Sequence, residues 1–188
     1  MIKGRKWNNG GGKVRISGGE FRGRKIKTPG GETHPMGERE RIALFNMIQD
    51  RIEGNFVMDV FCGGGTLGIE ALSRGAIFAL FLDNNPEAVR VCNENLRKLR
   101  LYGIRGGALV TDVRIAARTA TDRYGVVIAD PPYDKYDEKM VKYLPRLVLD
   151  GGTFVLSHPG KAPEFPGLTL EKTRSYAAAN ISIYRKKV

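Results

Sequence analysis

From residue 54 onward, short apolar runs alternate with segments whose apolar residues have helical spacing. Short apolar runs separated by helices predict a parallel sheet that is covered on both faces. The predicted strands are Phe56–Phe61, Ile77–Leu82, Ala108–Thr111, Val126–Ala129, Thr153–Ser157, Leu168–Lys172 and Ile181–Arg185. The predicted helices span residues 67–74, 86–100, 113–121 and 137–148. No helical pattern joins the last two strands, so we expect them to pair antiparallel at one edge of the sheet.

The first part of the chain has different patterns. Val14–Ser17 and Arg24–Lys27 alternate apolar and polar residues on either side of Gly18-Gly19, which predicts a small β-hairpin. Residues 38–52 have helical spacing, and we expect their apolar side chains to lie in the core: Ile42, Leu44, Phe45, Met47, Ile48 and Ile52. Residues 1–13 are polar, basic and glycine-rich, which is typical of a disordered tail. The chain thus divides into a tail (1–13), an extension of hairpin and helix (14–53) and an α/β domain (54–188).

The positive charge is concentrated near the N-terminal end. The chain has a formal net charge of +11, and residues 1–30 carry nine Lys and Arg against one acid, Glu20, which gives +8. Aromatic residues and glycines are interleaved with these cations, and this favours an arm that binds nucleic acid over a solvated basic tail. The candidate nucleic-acid-binding residues are Arg15, Arg22, Arg24, Lys25, Lys27 and Arg39. We expect residues 1–27 to be removable without loss of the fold.

The composition argues against several classes of protein. No apolar stretch reaches the length of about 18 residues that a membrane span needs, and the basic N-terminus lacks the apolar segment of a signal peptide. Cys62 and Cys92 are too few and too differently placed to suggest a metal site or a disulfide framework. We therefore expect a soluble, cytoplasmic protein without a metal ion.

A glycine-rich segment, Gly63–Gly68, follows the first predicted strand of the sheet and begins a helix. Its G-x-G-x-x-G form, with Gly63 and Gly65 at the first two fixed positions, suits a dinucleotide equally well. Asp59 lies inside the apolar strand just before this segment. A carboxylate there would repel a pyrophosphate but attract the cationic methionine part of S-adenosylmethionine. A local Asx-type turn is the alternative interpretation of Asp59.

Three further acids end or follow successive predicted strands. Asp83 ends the second strand of the sheet, where a carboxylate can accept both hydroxyls of a ribose. Asp112 follows the third strand, where it would bind the amine of an adenine, although a helix N-cap is an equally good interpretation. Asp130 follows the fourth. The carboxyl ends of parallel strands line the ligand crevice of an open α/β sheet, so Asp59 and these three acids together predict a cofactor site.

Asp130-Pro131-Pro132-Tyr133 is the strongest candidate for a catalytic site. Asp130 can accept an N–H from the exocyclic amine of a flat base. The two prolines lack an N–H, so they offer carbonyl acceptors on a stiff turn. Tyr133 can stack on the ring of the base, a contact worth roughly 1–3 kcal/mol. The alternative is a turn that ends a strand and packs a tyrosine.

The chain resembles the RsmD-like methyltransferases, which methylate the N2 amine of a guanine in 16S rRNA. The resemblance rests on Arg15–Gly19 with Arg22–Lys25, on Arg39 and Arg41 with Ala43–Asn46, on Phe61–Ala76 and on Asp130–Tyr133. It implies a Rossmann-like class I methyltransferase fold, α/β with seven mostly parallel strands of which the last is inserted antiparallel. It also implies S-adenosylmethionine as cofactor and 16S rRNA as partner, within the small ribosomal subunit or an assembly intermediate. We expect a monomer. The chain departs from the family's usual residues at His34, Met36 and Ser157.

Three other functions are compatible with parts of this pattern. The same acid-Pro-Pro-aromatic motif can serve a DNA or RNA methyltransferase that acts on adenine N6 or cytosine N4, although no target-recognition domain is evident. A non-catalytic RNA-binding assembly factor would not need Asp59, Asp83 and Asp130. An enzyme that uses a nicotinamide cofactor is disfavoured by Asp59.

Overall fold

The computed structural model describes residues 11–30, 36–121, 123–177 and 179–188. Most of the predicted tail (1–13) and His34 lie outside the described residues. The N-terminal hairpin consists of β1 Lys13–Arg15 and β2 Lys25–Lys27, which pair antiparallel with Val14 opposite Ile26. The predicted hairpin is therefore confirmed.

Seven further strands form a single sheet. They are β3 Phe56–Val60, β4 Phe78–Asp83, β5 Gly106–Val110, β6 Tyr124–Ala129, β7 Val148–His158, β8 Leu168–Ser175 and β9 Asn180–Lys186. Their order across the sheet is β5-β4-β3-β6-β7-β9-β8, and β9 runs antiparallel between β7 and β8. This order confirms the prediction of a mostly parallel sheet whose last strand is inserted antiparallel.

Two helical layers cover the sheet. The helices are α1 Glu38–Ile52, α2 Thr66–Ser73, α3 Pro86–Lys98, α4 Val113–Thr119 and α5 Glu138–Val141, with single 3-10 helices at Tyr133–Lys135 and Leu144–Leu147. The first three helices and the hairpin share a core with one face of the sheet, while α4, α5 and the second 3-10 helix pack on the other. Because the helices lie on the two faces, the loops that follow the parallel strands can form a site at their carboxyl ends.

The segment before β7 differs from the prediction. The pattern predicts a helix over residues 137–148, whereas α5 ends at Val141, a 3-10 helix follows, and β7 begins at Val148. Pro145 lies within this 3-10 helix. A proline has no N–H, and its ring clashes with the carbonyl group one turn earlier, so a continuous α-helix is not compatible with its position.

The buried face of α1 also differs in part from the prediction. Leu44, Phe45 and Ile48 are fully buried, as expected, but Ile42 is 37% exposed. Arg41 is buried instead, at 1% exposure, because its guanidinium faces Glu70 of α2. Apolar character alone therefore misplaces the buried stripe at the first turns of this helix.

The hairpin is part of the core rather than an appendage. Ile16, Phe21 and Ile26 are almost fully buried in the cluster that includes α1, α2 and α3. The loop between the two strands lies on the end of α2, where a Cβ on Gly19 (φ +74°) would lie 1.7 Å from the Ser73 carbonyl oxygen. The expectation that residues 1–27 can be removed is wrong, because their removal would expose a large part of this core.

Membrane-spanning helices, metal sites and disulfides are the features that the composition argued against. Among the described ranges, no helix has the length and apolar character needed to cross a bilayer. Within the same ranges, no group of three or more His, Cys, Asp or Glu side chains is placed to hold a metal ion. Cys62 and Cys92 are free and buried. A hydrogen bond with Cys92, together with burial, raises the pKa of the Cys62 thiol, which makes it a poor nucleophile.

Gly68 allows a test of how α2 packs on the sheet. A Cβ at this position would lie 2.2 Å from Cε1 of Phe81, whose ring is fully buried. We expect Gly68→Ala to lower the free energy of unfolding by about 2 kcal/mol, because overpacking outweighs the better helix propensity of alanine. Urea unfolding measures the loss. Gly107→Ala is the control, since Gly107 has open space at its Cβ position. A Gly68→Ala variant as stable as this control would contradict the packing.

Candidate active site

Four acidic residues lie at the carboxyl ends of four neighbouring strands. Asp59 lies in β3, Asp83 ends β4, and Asp130 directly follows β6, while Asp112 follows the edge strand β5. Since these strands are adjacent in the order β5-β4-β3-β6, the acids form a row along one edge of the sheet. The negative charges of Asp130 and Asp83 both raise the pKa of Asp59, which places these three carboxyl groups in one electrostatic neighbourhood.

Asp59 is a buried acid whose charge lacks a cationic partner. Its side chain is 1% exposed, and its Oδ2 atom accepts a hydrogen bond of 2.8 Å from the N–H of Gly68 in α2. Burial raises the pKa of Asp59 to about 8, Asp130 and Asp83 add to this effect, and the Gly68 N–H opposes it. No Lys or Arg forms an ion pair with Asp59 within the described part of the chain. An added cation would therefore stabilise the ionised carboxylate.

Asp83 holds the beginning of the glycine-rich loop. Its Oδ2 atom accepts the N–H of Gly63 at 2.8 Å, and its Oδ1 atom accepts the N–H of Asn85 at 2.9 Å. Gly65 is the N-cap of α2 and has a φ of +82°, a conformation that favours glycine. The space next to Gly63 is open, since no atom lies within 4 Å of a Cβ built there. The loop thus presents its backbone to an open crevice beside two carboxylates.

Asp112 acts as the N-cap of α4. Its Oδ1 atom accepts the N–H of Arg114 at 2.8 Å, and the Arg114 guanidinium forms an ion pair with the same carboxylate. The hydrogen bonds from the Arg114 side chain lower the pKa of Asp112. Of the two interpretations of Asp112 from the sequence, the helix N-cap is the one that the structure displays. A contact with adenine remains a prediction.

The segment Asp130–Tyr133 has one carboxylate held from several sides. The Tyr133 hydroxyl donates a hydrogen bond of 3.1 Å to Oδ1 of Asp130 and is also bonded to the Ser157 hydroxyl of β7. Burial raises the pKa of Asp130 to about 6, while hydrogen bonds from Ser157, Tyr133 and the Met36 N–H oppose the shift. Pro131 is buried and Pro132 is exposed. Asp130 is therefore a hydrogen-bond acceptor on a fixed turn, with a pKa above that of an exposed aspartate.

The end of the hairpin lies against the glycine-rich loop, through a residue that the sequence analysis missed. Asn95 of α3 is 1% exposed, and its amide donates to the carbonyl groups of Lys27 at 2.8 Å and Gly64 at 2.9 Å. Its Oδ1 atom accepts the Lys27 N–H at 2.9 Å. A polar residue within the apolar stripe of Val91, Cys92 and Leu96 is the sequence signal that could have identified it.

Glu70 of α2 is a second buried polar residue that the sequence analysis missed. Its side chain is 1% exposed, and it accepts hydrogen bonds from the Ser17 N–H at 2.9 Å and the Ser17 hydroxyl at 2.6 Å. Arg74 donates to it at 2.9 Å, and Arg41 forms an ion pair with it at 3.4 Å. An acid within an otherwise apolar helix is the signal that could have revealed this link between the hairpin and α2.

The outward face of the hairpin carries four cations. Lys13 lies opposite Lys27, and Arg15 lies opposite Lys25, so each cross-strand pair on this face combines like charges. Glu94 pairs with Lys27 at 3.1 Å, whereas no acid pairs with the other three within the described residues. Cross-strand pairs of like charge destabilise a hairpin, and a bound polyanion would relieve that cost.

A cleft of about 400 Å³ lies beside this basic face. It is lined by the hairpin and by the residues around the start of α1: Lys13, Val14, Arg15, Lys25, Met36, Gly37, Glu38 and Arg41. The other predicted cations, Arg22, Arg24 and Arg39, are exposed, and Arg24 lies over the Phe21 ring at 5.5 Å from its centroid. The six candidate residues therefore lie on the hairpin, on its loop and on the first turn of α1, all exposed to solvent.

Comparisons with known proteins identify the family. A family model described as "Conserved hypothetical protein 95" matches residues 14–185. The chain is 29% identical to "Putative rRNA methyltransferase YlbH" of Bacillus subtilis over 187 residues, which cover 93% of this chain and 100% of that protein. It is 33% identical to "Ribosomal RNA small subunit methyltransferase D" of Escherichia coli over 130 residues, which cover 67% of this chain and 63% of that protein.

A solved structure shows the same fold. "Putative methyltransferase yhhF" from Escherichia coli superposes with a TM-score of 0.84 and 25% identity, covering 94% of this chain and 99% of that chain. The resemblance noted from the sequence and the class I methyltransferase fold that it implied are both confirmed. The chain belongs to the family described as Conserved hypothetical protein 95, the RsmD family of methyltransferases.

Proposed function

We propose that this protein transfers a methyl group from S-adenosylmethionine to the exocyclic N2 amine of a guanine in 16S rRNA. The observation that carries the proposal is the Asp130 carboxylate, held by the Tyr133 hydroxyl, at the same sheet edge as the buried acid Asp59. Asp130 is suited to bind an amine, and Asp59 is suited to bind a cation. The Escherichia coli relative is named a small-subunit rRNA methyltransferase, which supports RNA of that subunit as the substrate.

The residues of the crevice fit S-adenosylmethionine. When bound, this cofactor supplies an electrophilic methyl group on a sulfonium. Asp59 would hold its cationic methionine part, because a cation there stabilises the buried carboxylate. Asp83 would accept the ribose hydroxyls, and the backbone of Gly63 and Gly65 would approach the cofactor closely. Asp112 would bind the adenine amine once the Arg114 side chain, which donates to both of its carboxylate oxygens, turns away.

Asp130 would orient and polarise the target amine. The N2 lone pair of guanine is delocalised into the ring, so the amine is a weak nucleophile. Hydrogen bonds from its N–H groups to Asp130 and to the Pro131 carbonyl would concentrate electron density on nitrogen and direct its lone pair. Tyr133 and Ser157 fix the carboxylate before the base arrives. Stacking of the base on Tyr133 would hold the ring after it leaves its RNA stack.

The hairpin would dock the RNA beside this site. Its three unpaired cations line the cleft that also contains Met36, and the Met36 N–H contacts Asp130. A phosphate in the cleft would therefore lie near the target base. We propose that the substrate is 16S rRNA within the small subunit or an assembly intermediate, and that the enzyme acts as a cytoplasmic monomer. Rates of methyl transfer, measured on isolated 16S rRNA and on small subunits that both lack the modification, distinguish these substrates.

We expect Asp130→Asn to reduce methyl transfer by about 100-fold, since an amide cannot accept from the amine with a full negative charge. In the wild-type enzyme, kcat should fall as the pH is lowered through about 6, because protonation removes the acceptor. Radioactive methyl transfer to 16S rRNA measures the rate, and mass spectrometry of the digested RNA identifies the product. Asp134→Asn, on the exposed neighbouring turn, is the control. Near wild-type turnover of Asp130→Asn, or N6-methyladenine as the product, would contradict the proposal.

We expect Asp83→Asn to weaken the binding of S-adenosylhomocysteine by more than about tenfold, because a ribose diol needs two acceptors. Isothermal titration calorimetry measures the affinity. Asp50→Asn is the control, since Asp50 of α1 is 80% exposed and its recorded ion pair is with its neighbour Arg51. Preferential binding of NAD over S-adenosylhomocysteine by the wild-type protein would overturn the cofactor assignment.

We expect the triple variant Lys13→Gln, Arg15→Gln, Lys25→Gln to bind single-stranded 16S rRNA fragments more weakly and with less salt dependence. Each lost phosphate contact lowers the slope of log K against log salt by roughly 0.7, so the slope should fall by about 2. Fluorescence anisotropy at three salt concentrations measures the affinity and its slope against log salt.

The matched control removes three exposed cations at the opposite edge of the sheet: Arg100, Arg118 and Lys187. These residues follow α3, end α4 and follow β9, away from the row of acids. Equal slopes for the two triple variants would show that net charge, rather than the hairpin face, governs RNA binding.

A further inference from the structure

Arg41 is a buried cation at the meeting point of three segments. Its side chain is 1% exposed and forms an ion pair with Glu70 of α2 at 3.4 Å. One terminal nitrogen donates to the Arg15 carbonyl of the hairpin at 2.7 Å, and the other donates to the Met36 carbonyl at 3.5 Å. The Nε atom of Arg41 forms the ion pair with Glu70 but no hydrogen bond, so its two terminal nitrogens carry the hydrogen bonds. A buried guanidinium is costly without such partners, and these contacts hold the three segments relative to one another.

Met36 connects this cation to the candidate catalytic carboxylate. Its side chain is buried, its carbonyl accepts from Arg41, and its N–H contacts the Asp130 carboxylate. Met36 also lines the basic cleft together with Arg41 and Arg15. The segment that enters α1 is thus held between the guanidinium on one side and Asp130 on the other.

We propose that Arg41 is a positioning residue for Asp130: through Met36 it holds the backbone N–H that orients this carboxylate, and through Arg15 it links that N–H to the RNA-docking hairpin. The inference rests on the proposed role of Asp130 in binding the target amine. It adds a residue that does not itself touch the base or the cofactor. It also implies that RNA bound to the hairpin is coupled to the position of the Asp130 carboxylate through Arg41 and Met36.

The electrostatic surroundings of Asp130 predict what the loss of Arg41 does. The groups that face Asp130 are Asp59 from β3, Ser157 from β7, Tyr133 from its own turn and the Met36 N–H from the segment before α1, with Glu40 facing Tyr133. Of these groups, Arg41 contacts only the Met36 segment among its described hydrogen bonds and ion pairs. If the Met36 N–H is displaced, fewer hydrogen bonds stabilise the ionised form of Asp130 against the effect of burial. The pKa of Asp130 should therefore rise further.

Arg74 provides a matched control. Its Nε atom donates to the same Glu70 carboxylate at 2.9 Å, one terminal nitrogen donates to the Ser17 hydroxyl at 3.1 Å, and its side chain is 10% exposed. It contacts neither Met36 nor the Arg15 carbonyl in the described structure. Arg74→Met therefore removes an ion pair of Glu70 and a tie to the hairpin, but leaves the donor to Asp130 in place.

The experiment compares Arg41→Met, Arg41→Lys and Arg74→Met with the wild-type protein. Thermal unfolding measures stability, calorimetry with S-adenosylhomocysteine measures the cofactor site, and kcat and KM for 16S rRNA are measured from pH 5 to 9. Carbon-13 NMR of labelled aspartate carboxyls titrates Asp130 directly, in the absence of cofactor and RNA. Each variant is assayed well below its own unfolding temperature, and Arg41→Lys, which keeps the buried charge, stands in if Arg41→Met fails to fold.

We expect Arg41→Met to lower kcat by about tenfold and to shift both the acid limb of kcat and the Asp130 titration upward by roughly one pH unit, with unchanged affinity for S-adenosylhomocysteine. Arg41→Lys should show a smaller shift in the same direction. Arg74→Met should lose stability but keep the acid limb. Equal titration of Asp130 in the wild-type, Arg41 and Arg74 proteins overturns the positioning role. An inactive wild-type protein with a shifted titration in Arg41 variants would instead overturn the proposed function alone.

Discussion

One buried carboxylate, Glu70, joins the hairpin, α1 and α2 beside the apolar contacts of the hairpin with the core. Glu70 accepts hydrogen bonds from Ser17 of the hairpin and from Arg74 at the end of its own helix, and it forms an ion pair with Arg41 of α1. A buried acid of this kind is stable only when its lone pairs are satisfied, so the three segments stabilise one another as a set. These contacts consequently fix the relative positions of the basic hairpin, the helix that begins at the glycine-rich loop and the segment next to Asp130.

The row of acids lowers the stability of the fold when no ligand is bound. Asp83 and Asp130 both disfavour the ionised form of Asp59, and burial disfavours it more strongly. The strand ends are close together because parallel strands in neighbouring positions end at the same edge, and the Gly68 N–H compensates only part of the repulsion. Such destabilisation is typical of a site built for a cation, because the missing charge is supplied by what binds there.

Much of this arrangement could be predicted from the sequence, and what could not be predicted has a common cause. Strands and their terminal acids follow from local patterns, so the positions of Asp59, Asp83 and Asp130 at the carboxyl ends of the strands could be predicted. Arg41 and Asn95 owe their positions to partners far along the chain, such as the carbonyl groups of Arg15 and Lys27. Apolar periodicity gives no information about such partners, and it therefore assigned Ile42 to the core.

The position of β9 between β7 and β8 has a consequence for the folding of the protein during its synthesis on the ribosome. β7 carries Ser157, the partner of Tyr133, and its free edge finds its neighbour only when β9, the last strand in the chain, has been synthesised. Until then β7 presents an unpaired backbone edge, and β8 has no strand to pair with. The side of the sheet next to the Asp130–Tyr133 turn is therefore paired only after β9 has been synthesised.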